Sequence, residues 1–248
     1  MADTENYVSL VREMRASFGT SYGISLTLAP DYWYLRGFDA ISMQPYVDWF
    51  GFMAYDLHGF WCVVLKGLRP RQRLTLYYRD EDITALGSVV RGQTDIGDIE
   101  NDVLPLWFDG LDPQKINFGL AYYGRGYTLA DAECNTLLCP FAGPSSPAPC
   151  TNYAGVMSLW EIEELIAQGL TPTYLPTAMM KQITWGDQWI GYDDTDTFFV
   201  KQAWADAQCF GGTMFWSIDF KSAGRLADFT LSLYLGVISF RFSYCQLA

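Results

Sequence analysis

A tyrosine and an aspartate lie side by side at the end of an apolar stretch, at Tyr55 and Asp56. The preceding residues 49–54 read WFGFMA, which is typical of a buried strand. A phenol hydroxyl and a carboxylate are costly to bury without partners. Parallel α/β barrels carry their chemistry at the carboxyl ends of such strands. The pair therefore predicts either a polar site at a strand end or a core strand followed by an ordinary turn, and this stretch alone favours neither.

The tetrapeptide at 53–56, Met-Ala-Tyr-Asp, resembles the M-x-Y-D signature of family 18 glycoside hydrolases, the chitinase family. Further segments match that family in the right order: GISLTLAPDYWYL, INFGLAYYGRGYTL, ITWGDQWIGYDDTDTF and GGTMFWSIDF. Over most of residues 2–61 and 80–222 the chain resembles the carboxyl-terminal half of a fungal-type catalytic domain. The resemblance implies an endo-acting chitinase, which hydrolyses β-1,4 links between N-acetylglucosamine units without a cofactor.

The resemblance also implies roles for single residues. In this family the substrate's own acetamido oxygen attacks the anomeric carbon while a glutamate donates a proton. Tyr55 matches the tyrosine that orients the acetamido group, and Asp56 matches the motif aspartate, so both are expected in the catalytic centre. Trp216 matches the tryptophan that forms the floor beneath a sugar ring. The full expected set of substrate-binding residues is Met53, Ala54, Tyr123, Arg125 and Trp216.

The family's proton-donor motif, D-x-x-D-x-D-x-E, is absent from the 248 residues. Asp95, Asp98, Glu100 and Asp102 copy its spacing with the last two residue types exchanged, and they are typical of the acidic first turn of a helix. Residues 1–5 also lack the features of a secretion signal. We therefore expect a truncated, inactive chitinase chain. The alternatives are a chitin-binding, lectin-like protein and a truncated gene product without function.

Composition narrows the choice of partners and cofactors. The net charge of −12 disfavours nucleic acid and anionic membranes and suits a neutral polymer such as chitin or its oligosaccharides. No stretch is long and apolar enough to span a bilayer. One histidine and the absence of a CxxC pair argue against a zinc site, so no metal or cofactor is expected. His58 itself is expected to have a structural role.

The loop that contains Cys134, Cys139 and Cys150 is rich in glycine and proline, which indicates a disulfide-tied loop of a secreted protein. The sequence leaves the pairing open. Extracellular localisation is what the family resemblance implies, and the full-length form is expected to be a monomer.

The elements that must position these residues alternate between strands and helices. Hydrophobic periodicity predicts helices at 4–18, 98–108 and 195–207, with Thr4 as a cap of the first, and a shorter helical region at 32–43. Strands are predicted at 23–28, 49–55, 116–121 and 212–217. The resemblance implies that they are strands five to eight of a (β/α)8 TIM barrel. Such a half barrel has two open edges, so we expect the chain to be only marginally stable by itself.

Two stretches and one long insertion interrupt this pattern. Residues 126–192 resemble the small α+β lobe of many chitinases, which separates barrel segments at 1–125 and 193–225. Residues 62–79 are basic and break the family pattern, as a retained intron or a genuine surface loop would. The apolar tail at 226–248 is either a frameshifted or read-through segment or a poorly patterned helix.

Overall fold

The computed structural model describes residues 2–60 and 87–221, so the predictions for 62–79 and 226–248 lie outside the described residues. The helices are α1 (Ala2–Phe18), α2 (Tyr32–Leu35), α3 (Ala40–Met43), α4 (Ile96–Phe108), α5 (Leu159–Ala167) and α6 (Thr195–Ala207). The strands are β1 (Ser25–Leu28), β2 (Trp49–Phe52), β3 (Ile116–Ala121), β4 (Tyr123–Leu129), β5 (Phe141–Pro144), β6 (Val156–Ser158), β7 (Thr173–Leu175), β8 (Met180–Trp185), β9 (Gln188–Tyr192) and β10 (Gly212–Trp216).

Four parallel strands form one sheet in the order β1-β2-β3-β10. Phe52 lies opposite Phe118, and Trp216 lies opposite Ala121, so the carboxyl ends of these strands meet at one edge of the sheet. Strands β1 and β10 are its outer members among the described residues. The four strands were predicted from the sequence, whereas their assignment as strands five to eight of a barrel stays a prediction.

The core of the parallel sheet is aromatic. Phe50, Phe52 and Phe118 have no exposed surface, and each contributes about 1.5–3 kcal/mol to folding by its burial. On the face covered by α6, the ring of Phe118 contacts those of Trp204 and Phe210, with centroids 5.6 and 5.7 Å apart. This packing holds β3, and therefore the residues that follow it, against the helical layer.

The helix predictions hold with local corrections. The first helix begins at Ala2, so Thr4 is not its cap; the Thr4 hydroxyl donates to the Gly37 carbonyl at 3.1 Å instead. Gly19 ends the helix with a φ of +55°, a conformation that suits glycine. Helix α4 has its predicted acidic start, since Asp95 caps it by accepting a hydrogen bond from the Gly97 amide at 2.9 Å.

The second sheet is antiparallel, in the order β5-β4-β9-β8-β7, with β6 paired to β4. It occupies most of the stretch predicted as an inserted lobe but begins at Tyr123, three residues earlier than the predicted boundary at 126. A disulfide joins Cys134 to Cys139, as expected of a tied loop, while Cys150 is free and exposed. Trp189 and Tyr127 are fully buried in this sheet's own core.

Candidate active site

The chain turns sharply after β2. The strand ends at Phe52, three residues earlier than predicted, and two tight turns follow, in which Ala54 N donates to Phe52 O at 2.9 Å and Tyr55 N to Met53 O at 2.7 Å. Asp56 then adopts a φ of +62°, which is uncommon for residues other than glycine and best tolerated by asparagine and aspartate. A continuing strand could not make this bend. The turn places the Asp56 carboxylate at the carboxyl edge of the parallel sheet.

Asp56 accepts two hydrogen bonds on one oxygen. The Tyr123 hydroxyl donates to Asp56 Oδ1 at 2.6 Å, and Arg125 Nε donates to the same atom at 2.8 Å. Tyr123 and Arg125 lie two residues apart on β4 and therefore share one face of that strand. The Arg125 guanidinium also lies 5.5 Å from the centroid of the Tyr123 ring. The structure thus brings together three residues that the sequence placed 67 and 69 positions apart.

The charges of this cluster are stabilised by their surroundings. Burial raises the pKa of Tyr123, and the neighbouring Asp56 carboxylate raises it further. Burial alone would lower the pKa of Arg125, but its hydrogen bond to Asp56 and the opposite charge outweigh that effect and raise it. Tyr123 therefore stays a neutral donor and Arg125 stays cationic throughout the physiological pH range.

Tyr55 presents its hydroxyl beside this cluster. The residue is 5 % exposed, and its ring meets the Tyr123 ring edge-on at 6.2 Å. Burial, followed by the charge of Asp56, raises the pKa of Tyr55. Within residues 2–60 and 87–221 its hydroxyl has no hydrogen-bond partner. It is a protonated donor available to a ligand.

A glycine in β3 makes room for Tyr55, and sequence reasoning missed it. A Cβ at Gly119 would lie 2.9 Å from Tyr55 Cε1 and 3.1 Å from Met214 Cε, and it would collide with the Phe52 carbonyl oxygen. Only a residue without a side chain fits there. A glycine inside a strand marks such close approaches, which is the signal the sequence offered.

The remaining predicted residues differ in how accessible they are. Met53 is half-buried and packs with Met214 against the apolar group that contains Tyr55 and Tyr123. Ala54 is 1 % exposed and can act only by packing beneath the turn. Trp216 is 58 % exposed at the end of β10 and makes no ring contact with another described residue. Its indole face is open to solvent.

His58 lies outside this cluster. Its Nε2 is 3.0 Å from Asp98 Oδ2, which ties the turn after Asp56 to the first turn of α4. The structural role expected of His58 fits this contact. In the part of the chain that the structure describes, no three histidine, cysteine, aspartate or glutamate side chains form a group that could hold a metal ion. None of the described helices is long and apolar enough to cross a membrane.

The sequence model of a protein family described as glycosyl hydrolases family 18 matches residues 1–220. The chain belongs to this family. Similar curated relatives include "Probable chitinase LysM11" of Penicillium expansum, 26% identical over 92% of this chain, and "Probable endochitinase" of Caenorhabditis elegans, 28% identical over 88%. The family 18 chain spans 21% and 34% of the lengths of these two relatives.

Solved chitinases share the fold of this family 18 chain. One is the Group IV chitinase of Ostrinia furnacalis in complex with allosamidin, with a TM-score of 0.71, 22% identity and coverage of 95% of this chain and 63% of that one. Another is a plant class V chitinase mutant from Cycas revoluta in complex with (GlcNAc)3, with a TM-score of 0.70, 20% identity and coverage of 89% and 60%. At these identities the likeness is one of fold.

Proposed function

We propose that this chain forms the part of a chitinase cleft that binds and orients an N-acetylglucosamine unit. The observation that carries the proposal is the Tyr55 hydroxyl, which is protonated, unpartnered among the described residues and adjacent to Asp56. An acetamido carbonyl oxygen is an acceptor that such a donor recognises. Related chitinase structures in complex with allosamidin and with (GlcNAc)3 support this substrate class.

Asp56 complements Tyr55 in this proposal. Its Oδ1 is taken by Tyr123 and Arg125, while its Oδ2 has no hydrogen bond within the described chain and its side chain is 37% exposed. The free oxygen can accept from the acetamido N–H or from a sugar hydroxyl. The two donors hold the carboxylate in one orientation before a ligand arrives, which lowers the entropic cost of binding.

The other proposed contacts surround this pair. Trp216 offers an exposed indole face on which the apolar face of a sugar ring can stack. Met53 lines the pocket, Ala54 packs beneath it, and Arg125 and Tyr123 bound it on the side of β4. The four parallel strands would then be strands five to eight of a fungal-type barrel, with residues 126–192 as the lobe that raises one wall.

The chemistry follows from the orientation of the acetamido group. Its oxygen attacks the anomeric carbon, the glycosidic bond breaks, and the leaving oxygen takes a proton from a glutamate; water later opens the oxazolinium with overall retention. Tyr55, Asp56 and the residues around them can align the acetamido oxygen, which is the internal nucleophile, and exclude water. Since the 248 residues contain no D-x-x-D-x-D-x-E motif, we propose that this chain binds chitin oligosaccharides without hydrolysing them.

The proposed setting is extracellular. The Cys134–Cys139 disulfide suits an oxidising compartment, and one relative is named "Secreted chitinase LysM12". A chitin polymer or its soluble oligosaccharides are the expected partners, and the full-length form is expected to be a monomer.

Calorimetry with (GlcNAc)4, together with a hydrolysis assay on the same preparation, tests the proposal. Saturable binding without release of shorter oligosaccharides supports a binding role for this chain. Turnover would contradict the proposed inactivity. A protein that unfolds cooperatively yet binds no oligosaccharide would refute the proposed cleft. Absence of a cooperative unfolding transition would support the alternative of a truncated gene product without function.

A further inference from the structure

Residues 87–95, termed the strap below, lead to the start of α4. They are hydrogen-bonded to the antiparallel sheet and to its disulfide-tied loop. Val90 N donates to Cys139 O at 2.8 Å, and Leu138 N donates back to Val90 O at 2.8 Å. Further along, the Tyr127 hydroxyl donates to Arg91 O at 3.2 Å. The position of the strap is thus set by the disulfide-tied loop and by β4.

One residue of the strap contacts both sides of the candidate site. Gln93 is 1 % exposed, and its Nε2 donates to the backbone oxygen of Tyr123 at 2.7 Å. Its own backbone oxygen accepts from the amide of Leu57 at 3.0 Å. Leu57 directly follows Asp56, and Tyr123 is the residue whose hydroxyl bonds to Asp56. Gln93 therefore spans the same gap as the Tyr123–Asp56 hydrogen bond, through the backbone on each side.

The next residue prevents the strap from shifting. The buried Lys201 of α6 donates to Thr94 O at 2.6 Å and to both oxygens of Asp193 at 2.7 and 2.8 Å. Lys201 and Asp193 are each 1 % exposed. A buried ammonium whose donors are all used has no alternative partners to move toward. The backbone that follows Gln93 is consequently fixed at Thr94, while the Gln93 side-chain amide donates to Tyr123 O.

We propose that Gln93 is a positioning residue, which sets the separation between the Asp56 turn and β4 so that Asp56 Oδ1 receives both the Tyr123 hydroxyl and Arg125 Nε. Without the side-chain amide, Tyr123 O loses its hydrogen bond to Gln93, and the backbone bond from Leu57 N to Gln93 O no longer links the Asp56 turn to β4. The Asp56 turn is also held by its local turns, by Met53 N donating to Leu28 O and by the His58–Asp98 contact, but none of these joins it to β4. Hydrogen bonds weaken steeply with misalignment. Only the expected effect on oligosaccharide binding rests on the proposed function; the positioning itself does not.

The test uses Gln93→Met, which keeps the length of the side chain and removes its donor. Its matched control is Gln182→Met, because Gln182 is 6% exposed and also makes amide hydrogen bonds, to Asn135 O and from Trp189 Nε1, both at 2.9 Å. The readout is the NMR signal of Arg125 Nε–H in the absence of ligand. Its exchange with water should accelerate about tenfold in Gln93→Met, since a charge-assisted bond is weakened, and should stay unchanged in Gln182→Met.

An unchanged Arg125 Nε–H signal in folded Gln93→Met would overturn the proposal. If that variant does not fold, Gln93→Asn, whose amide is one methylene short, takes its place under the same criterion. Titration with (GlcNAc)4 separates this inference from the proposed function. A changed signal together with weaker binding supports both. A changed signal in a protein whose native form binds no oligosaccharide supports the positioning role and rejects the carbohydrate site.

Discussion

Arg125 Nε donates to Asp56 Oδ1 over 2.8 Å, and this bond joins the antiparallel sheet to the carboxyl edge of the parallel one. Arg125 is mostly buried and Asp56 about one third exposed, so the pair is neither a solvated surface contact nor a sealed interior one. One oxygen of Asp56 accepts both hydrogen bonds, and the other has no hydrogen bond to a described residue. The bond therefore couples the orientation of a partly exposed carboxylate to the packing of the two sheets.

Replacing Tyr55 with phenylalanine should weaken binding of (GlcNAc)4 by about three- to tenfold, the value of one neutral hydrogen bond. Stability should change by no more than about 0.5 kcal/mol, since the hydroxyl bonds to no described residue. Calorimetry and urea unfolding measure the two effects. Tyr22→Phe, the same change at a 67 % exposed residue, is the control and should alter neither. Equal affinities for native protein and Tyr55→Phe would contradict the role of this hydroxyl.

Replacing Asp56 with asparagine should lower the free energy of unfolding by about 1–2 kcal/mol, because Arg125 loses a charged acceptor while solvent screens part of the effect. Asparagine preserves the shape of the side chain, so the loss reports charge. Urea unfolding at neutral pH measures it. Asp206→Asn, at an exposed position, should remain within about 0.5 kcal/mol of the native protein. Similar values for the two variants would show that the Asp56–Arg125 pair adds nothing to stability.

Gly119→Ala should destabilise the protein by about 1–3 kcal/mol and displace the Tyr55 ring, because the new Cβ meets both that ring and the Phe52 carbonyl. Near-UV circular dichroism reports the ring, and thermal unfolding reports the stability. Gly143→Ala is matched to it, since a Cβ there has no heavy atom within 4 Å. The close approach at Gly119 would be disproved by two alanine variants of equal stability.

Acid should weaken the fold through Glu161, which is 4 % exposed. Burial opposes its charge, but hydrogen bonds from the Thr151 and Ser158 hydroxyls and from the Thr151 and Cys150 amides outweigh that effect and lower the pKa of Glu161 to about 2. A carboxyl whose pKa is lower in the folded state stabilises the fold above pH 4.5, its ordinary pKa, and loses that contribution as pH falls toward 2.

Urea unfolding at a series of pH values checks this expectation. The native protein should lose about 3 kcal/mol between these two pH values through this group, whereas Glu161→Gln should start less stable and show a flatter profile. Glu133→Gln, at an exposed carboxylate in the loop between β4 and β5, should follow the native curve. If the Glu161→Gln profile is as steep as the native one, the acid sensitivity arises elsewhere.

Much of the local structure follows from the sequence because it depends on neighbours in the chain. Helix α6 was predicted with its observed limits because hydrophobic periodicity is a local property. Its cap is also local, since Asp194 accepts a hydrogen bond from the Thr197 amide at 3.3 Å. Strand β3 was likewise predicted from Ile116 to Ala121. The M-x-Y-D tetrapeptide predicted Tyr55 and Asp56 at a strand end. The strand itself stops earlier, at Phe52, and is followed by two tight turns and the positive φ of Asp56.

The contacts that make a site out of these elements were decided by tertiary structure. Nothing local in residues 87–95 shows that Gln93 reaches Tyr123, because that hydrogen bond spans 30 positions and depends on how the strap packs between the two sheets. The shared oxygen of Asp56 depends on β4 lying against the end of β2. Side-chain types and periodicity, which act within a few residues, determined the elements and the candidate chemistry, whereas long-range packing determined which donors meet which acceptor.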